Sequence, residues 1–156
     1  MEKETLVLST LINAPREIVW DVLLQDKTYR QWTEVFHPGS YAETDWQQGS
    51  KVLFKTPAGD GMVSKILVNK PNEVMSIEHL GILKDNKEYF DTEETKSWQG
   101  LKETYRLKTA GEQTELIIEQ EITEKHAEWF RTTWEKALQK VKELAETSIS
   151  LPVNTE

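Results

Sequence analysis

The sequence predicts an α+β fold: a curved antiparallel sheet of about seven strands, with two short helices near its start, closed by one long C-terminal helix over a cavity. Three observations carry this. Beyond Gly39, apolar residues recur at every second position in runs broken by Gly, Pro and Asn, the period of half-buried strands. From Thr123 to Ser148 the period changes, and Phe130, Trp134, Ala137, Leu138, Val141, Leu144 and Ala145 form one stripe on a helix about 35 Å long. The strands follow one another through short turns, so they build a meander whose right-handed twist curves it and leaves a concave face for that helix to close.

Thr5 to Ile12 reads as the first strand, with Leu6, Leu8, Thr10 and Ile12 on one face and Val7, Ser9 and Leu11 on the other. Asn13-Ala14-Pro15-Arg16-Glu17 starts a helix, because Pro15 has φ preset for a first turn and Glu17 suits the positive helix end. Ile18, Val19, Val22 and Leu23 supply its buried face. Asp26 can cap a second helix in which Tyr29, Trp32, Thr33 and Phe36 repeat at three and four, and Pro38-Gly39 stops it. The expected strands are then Tyr41–Trp46, Ser50–Thr56, Met62–Asn69, Glu73–Leu83, Trp98–Thr109 and Glu112–Ile122. Asp85–Lys96 interrupts them as a polar, acidic loop or irregular hairpin, with a mobile flap as the less usual meaning. Thr123 can cap the final helix. Residues 1–150 are expected to form a single domain, followed by a C-terminal tail at 151–156.

With 156 residues and no cysteine, the chain is long enough for a proper core without staples, and disulfides, thiolate metal sites and cysteine nucleophiles are excluded. The net charge of −8, spread along the chain, argues against nucleic acid and anionic membrane surfaces as partners. A charged start at Met1–Thr5 and the lack of a long apolar run lead to the expectation of a cytoplasmic protein without membrane insertion. Six tryptophans in a chain of this size suit cores, cavity walls and interfaces alike.

Ile12-Asn13-Ala14-Pro15-Arg16-Glu17-Ile18-Val19-Trp20, followed by Leu23, Asp26, Tyr29 and Trp32, resembles the N-terminal signature of the START-like (SRPBCC) superfamily with its helix-grip fold. The likeness continues in Trp46-Gln47-Gln48-Gly49-Ser50, in Pro71 to His79, and in Trp134-Glu135-Lys136-Ala137-Leu138, so it spans Glu4 to Ser148. It is most similar to the subgroup named after the activator of the heat-shock-protein-90 ATPase. The resemblance implies a β-α-α-β6-α grip with an internal cavity for a hydrophobic or amphipathic small molecule. Cochaperone members carry a further domain that contacts the chaperone; the expectation of a single domain here argues against a cochaperone role.

For chemistry, the three histidines His37, His79 and His126 fall on a loop, a strand and a helix start, with no second histidine at metal-binding helical spacing. No Gly-rich phosphate loop and no Gly-x-Ser-x-Gly elbow is present, and the acidic run from Asp85 to Glu94 lacks the glycine and ligand order of a calcium loop. No metal, cofactor or dedicated catalytic residue is therefore expected. The sharper feature is His79 with Glu103: strand parity puts both on the face carrying Met75, Ile77, Tyr105 and Leu107, where a carboxylate is costly unless paired. The pair reads either as a structural hydrogen bond, Glu103 to His79 or to Tyr105, or as a polar anchor in an apolar pocket. A one-residue bulge would reverse this parity.

The expected ligand-binding residues are Trp32, Phe36, Phe54, Met75, Ile77, His79, Glu103, Tyr105, Gln120, Phe130 and Trp134. Along the last helix, Phe130 and Trp134 should face the pocket, while Val141, Leu144 and Ala145 are core. The leading functional reading is non-catalytic binding of a small hydrophobic or amphipathic molecule. The alternatives are an enzyme using His79, Glu103 and Tyr105 on such a molecule, and a stress-related or chaperone-associated module. A homodimer or another protein partner is compatible with all three.

Overall fold

A computed structural model describes residues 3–150, with side chains to residue 148; the expected tail at 151–156 lies outside the described residues. Its frame is an antiparallel sheet of eight strands: β1 (Lys3–Ile12), β2 (Tyr41–Glu43), β3 (Lys51–Lys55), β4 (Gly61–Lys70), β5 (Val74–Lys84), β6 (Lys87–Tyr89), β7 (Lys102–Ala110) and β8 (Gln113–Thr123). The order is β1-β8-β7-β5-β4-β3-β2, with β6 added to the end of β5. Among the described residues, four α-helices complete the fold: α1 (Arg16–Leu24), α2 (Asp26–Trp32), which continues as a 3-10 turn at Thr33–Val35, the single turn α3 (Glu93–Lys96) and the 24-residue α4 (Ala127–Ser150). This is the expected α+β arrangement, with β6 as the additional strand.

Register decides which side chains share the concave face. Ile77 pairs with Glu103, which pairs with Gln120; one row along, Met75 pairs with Tyr105, which pairs with Ile118. Two irregularities fall between β4 and β5. Val63 faces Gly81 while Ser64 faces His79, leaving Leu80 as an extra residue; Ile66 faces Ile77 while Val68 faces Ser76, leaving Leu67 as another. Both bulges spare the run Met75–His79, so its parity survives and His79 points inward with Met75 and Ile77.

The two ends of the chain are fastened together. β1 pairs along its whole length with β8, and the Thr114 hydroxyl donates to the Ala14 carbonyl at 2.7 Å, which pins the approach to α1. Pro15 is the N-cap of α1 itself, one position before the expected first turn. Val19, Trp20, Val22 and Leu23 form the buried face of this helix. The α4 stripe Trp134, Ala137, Leu138, Val141 and Ala145 is buried, with Leu144 partly buried beside it; α4 packs mainly on β1 and α1, and at Trp134 against the aromatic rings of Trp32 and Phe36. Farther along, Lys142 donates to the Leu11 carbonyl at 3.0 Å and to Glu146 at 2.6 Å, while Glu146 accepts from the Asn13 N–H at 2.8 Å. These contacts occupy outward backbone groups of edge strand β1 and its exit.

Several sequence-based boundaries are corrected. Asp26 is the first residue of α2, not its cap; Gln25 holds the cap position and Asp26 instead pairs with Arg30 one turn on, at 2.9 Å. The strand expected from Tyr41 to Trp46 ends at Glu43, because Thr44 and Asp45 accept from the N–H groups of Trp46 and Gln47 and Trp46 turns to φ 60°. The strand expected from Trp98 begins at Lys102, after a turn in which Leu101 N–H reaches the Trp98 carbonyl. The final helix is not one run from Thr123: a 3-10 turn at Glu124–His126 precedes α4, and the Thr123 hydroxyl contacts His126 Nδ1 at 3.0 Å instead of capping a backbone N–H.

The interruption at Asp85–Lys96 is folded. Asp85 and Asn86 both adopt positive φ, 51° and 64°, as a two-residue hairpin turn between β5 and β6 requires. Thr92 then caps α3 by accepting from Thr95 N–H, and the fully buried Thr95 donates to the Tyr89 carbonyl. A Cβ at Gly81 would lie 2.5 Å from the Tyr89 carbonyl oxygen, so glycine is what lets this segment cross β5 so closely.

Candidate functional site

Between α2, the N-terminal half of α4 and the concave face of the sheet lies a cavity of about 240 Å³. Aromatic side chains build its walls because α2 and α4 both turn aromatic stripes inward. Trp32 lies 5.7 Å from Trp134 and 5.3 Å from Tyr29, centroid to centroid, and Phe36 meets Trp134 edge-on at 5.0 Å. On the sheet side, Phe54 on β3 faces His79 at 6.2 Å and Tyr29 at 6.5 Å. Trp98 closes another side, stacked on His126 at 5.0 Å and edge-on to Phe130 at 5.9 Å. The mouth lies among Ser40, Tyr41, Lys55, Thr56 and the half-exposed Trp129.

The sheet contributes polar groups from three neighbouring strands. Tyr105 donates its phenol O–H to Glu103 Oε2 in a short hydrogen bond. Glu103 Oε1 stands 3.5 Å from His79 Nε2, and the other imidazole nitrogen, Nδ1, is hydrogen-bonded to the fully buried Ser64 hydroxyl at 2.7 Å. Gln120, beside Glu103 on β8, accepts from the Trp134 indole N–H at 2.9 Å, which joins the floor of the cavity to its helical roof. Burial, reinforced by the neighbouring Glu103 carboxylate, pushes the phenols of Tyr29 and Tyr105 well above the ordinary tyrosine range. Both phenols are thus neutral hydrogen-bonding groups at neutral pH. Lys55 sits at the mouth, its ammonium held by Glu43 at 3.1 Å and lying 5.9 Å from the Tyr41 ring centroid.

Of the residues expected from sequence, Trp32, Phe36, Phe54, His79 and Glu103 line this cavity, as do Tyr105, Gln120, Phe130 and Trp134. Met75 and Ile77 do not. They share the inward parity of His79, but lie deeper along β5 and are completely enclosed in the main core. Of the two structural readings of Glu103, the hydrogen bond to Tyr105 is the one made; His79 Nε2 stands 3.5 Å from the other carboxylate oxygen, a close approach without a hydrogen bond. Tyr29, Trp98 and Trp129 complete the aromatic wall without having been picked out as site residues. The three-and-four spacing of Tyr29 with Trp32 and Phe36 was a usable signal for the first; Trp98 and Trp129 had none, because a turn and the neighbouring stretch of α4 place them.

Among the described residues, no group of three or more His, Asp or Glu side chains could hold a metal ion, and no helix is long and apolar enough to cross a membrane. The cavity can thus enclose and orient a small molecule between aromatic faces and a carboxylate, an imidazole and a phenol.

The family model described as "Activator of Hsp90 ATPase homolog 1-like protein" matches residues 13–146. No curated protein matches the sequence. Among solved structures, the chain is similar to protein MLL2253 from Mesorhizobium loti, at 16% identity and a TM-score of 0.74 over 93% of this chain and 98% of that one. It is similar to the Aha1 dimer from Colwellia psychrerythraea at 21% identity and a TM-score of 0.67, covering 92% and 96% of the two chains. CalU16 from Micromonospora echinospora matches at 17% identity with a TM-score of 0.65, over 95% and 80%. At these identities the structural matches establish a common fold.

Proposed function

Because the chain belongs to the Activator of Hsp90 ATPase homolog 1-like protein family, a group built on a ligand-binding fold, we propose that it binds a small apolar or amphipathic molecule in the cavity beneath α4. The observation that carries this is the cavity itself: the space is walled by aromatic rings on α2, α4 and the sheet, with a few convergent polar groups on one side. That is the composition of small-molecule sites in general. A volume of about 240 Å³ is slightly below the roughly 300–1,000 Å³ of drug-sized pockets, so the ligand is small. The test compares the native mass of gently purified protein with its denatured mass, then screens a library of hydrophobic compounds for thermal shift. A bound mass or a saturable shift supports the reading; an empty protein that no compound stabilises overturns it.

One observation supports a second reading, acid–base chemistry on the bound molecule: His79, Glu103 and Tyr105 converge on the cavity. Turnover that His79→Ala or Glu103→Gln abolishes without unfolding the protein would establish it, and loss of stability alone would return both residues to a structural role. A chaperone-associated role follows from the family description only. Co-purification with a chaperone, or stimulation of its ATPase, tests it.

A further inference from the structure

Glu103 is the cavity-lining carboxylate, and its acceptor capacity is incompletely used. An ionised carboxylate offers about four lone-pair positions. Tyr105 fills one of these on Oε2. His79 Nε2 is 3.5 Å from Oε1, well beyond the roughly 2.7–2.9 Å of a charge-assisted N–H···O bond. His79 is also held from its far side by Ser64 at 2.7 Å, behind a strand pair that fixes its position. The one lysine lining the cavity, Lys55, sits at the mouth with its ammonium engaged by Glu43. The Glu103 side chain retains 14% exposure and lines a space otherwise walled largely by aromatic rings, so a ligand in that space can reach the carboxylate.

Resting on the cavity-binding reading above and deepening it, we infer that the ligand is a small aromatic molecule carrying a hydrogen-bond donor, O–H or N–H, that enters head-first and donates to Glu103. Planar rings match the walls, because Trp32, Phe36, Phe54 and Trp134 offer faces and edges at ordinary aromatic contact distances. The donor head supplies what the carboxylate lacks. An anionic head is disfavoured twice, by repulsion from Glu103 and by desolvation without a free cation beside it. The neutral phenol of Tyr105 does not compete for this role: its O–H is committed as a donor to Glu103 Oε2, which leaves the other carboxylate oxygen for the ligand.

Four probes with one ring system separate these terms: 2-naphthol, 2-naphthylmethylammonium, 2-methoxynaphthalene and 2-naphthoate. Each is titrated into the full-length protein while the tryptophan indole N–H resonances are followed by NMR. The two donors are expected to bind at least about tenfold more tightly than the methoxy compound, the effect of one hydrogen bond to a charged group, and 2-naphthoate most weakly. Glu103→Gln, checked for folding by circular dichroism, should narrow the gap between 2-naphthol and 2-naphthoate by about tenfold or more. Tyr105→Phe, which removes the competing donor, should preserve the preference. Equal binding of 2-naphthol and its methyl ether, or binding of 2-naphthoate as tight as 2-naphthol, overturns the donor-head inference while leaving the cavity reading intact. If none of the four shifts the Trp32 and Trp134 indole signals, the inference of an aromatic donor-headed ligand is overturned, while the cavity reading stands or falls on the mass comparison and library screen above.

Discussion

Trp134 shows how single residues couple the core to the cavity. Its ring is 1% exposed and touches Trp32, Phe36 and Tyr105, while its indole N–H donates to Gln120, itself 1% exposed. Replacing it with Phe keeps most of the apolar volume but leaves the Gln120 carbonyl oxygen without its donor. The expected cost is about 1–3 kcal/mol, read as a lower urea midpoint with an unchanged denaturant slope. A Trp134→Phe protein as stable as the parent would mean that this bond contributes little. Glu103 is the opposite case at the same scale. Its partners are close enough to hold it in place but leave acceptor capacity unused, so its principal effect is expected on binding selectivity.

Among the elements, the β3–β4 hairpin and the β1–α4 junction matter most, one bounding the mouth and the other anchoring the roof. At the base of the hairpin, a Cβ on Gly61 would stand 1.7 Å from the Phe54 carbonyl oxygen, at a φ of 155° that favours glycine. Gly61→Ala must therefore displace the backbone that carries Phe54 and Lys55. A loss of about 1–3 kcal/mol is expected, together with weaker ligand binding, both measurable by denaturation and titration. At the far end, the bonds from Lys142 and from Asn13 N–H hold the Glu146 carboxyl below the usual glutamate range. A depressed folded-state pKa stabilises the protein above the unfolded value, near 4.3, and that contribution disappears as pH falls through the folded value. Glu146→Gln should consequently be less stable than the parent at pH 7, with the difference shrinking below about pH 4. A stability gap independent of pH would show that the carboxylate's charge is not what fastens the junction.

At the scale of the molecule, α4 divides along its length. Its later half, with Val141 and Ala145 buried, packs against β1 and α1, and its earlier half stands off from the sheet over the cavity, where Phe130 and Trp134 meet the space. A ligand that binds only the folded protein and is present at about a hundredfold its dissociation constant should stabilise it by about 2.7 kcal/mol. For a chain of this size that corresponds to a rise of very roughly 5–10 °C in Tm, measurable by differential scanning calorimetry. The shift should be much reduced in a variant that fills the cavity, such as Thr33→Phe at the end of α2.

How much of this was legible in the sequence follows from how local each feature is. The alternation in Met75-Ser76-Ile77-Glu78-His79 and in Leu101 to Leu107 established which side chains point inward, and the stripe from Phe130 to Ala145 fixed the buried face of α4. Period is a property of a few adjacent residues, and burial on one side enforces it. Short-range hydrogen bonding escaped that reading: Thr44 and Asp45 end β2 early, Asp85-Asn86 makes the β6 hairpin, and Thr92 caps α3. Only the tertiary structure decided which inward residues reach open space, because that depends on how far α4 stands from each strand, a distance set by packing between segments remote in sequence. Met75 and His79 have the same parity on one strand, yet one is sealed in the core and the other lines the cavity. The joining of His79, Glu103 and Tyr105 likewise required the registers of β4, β5 and β7 to align, which strand pattern alone does not encode.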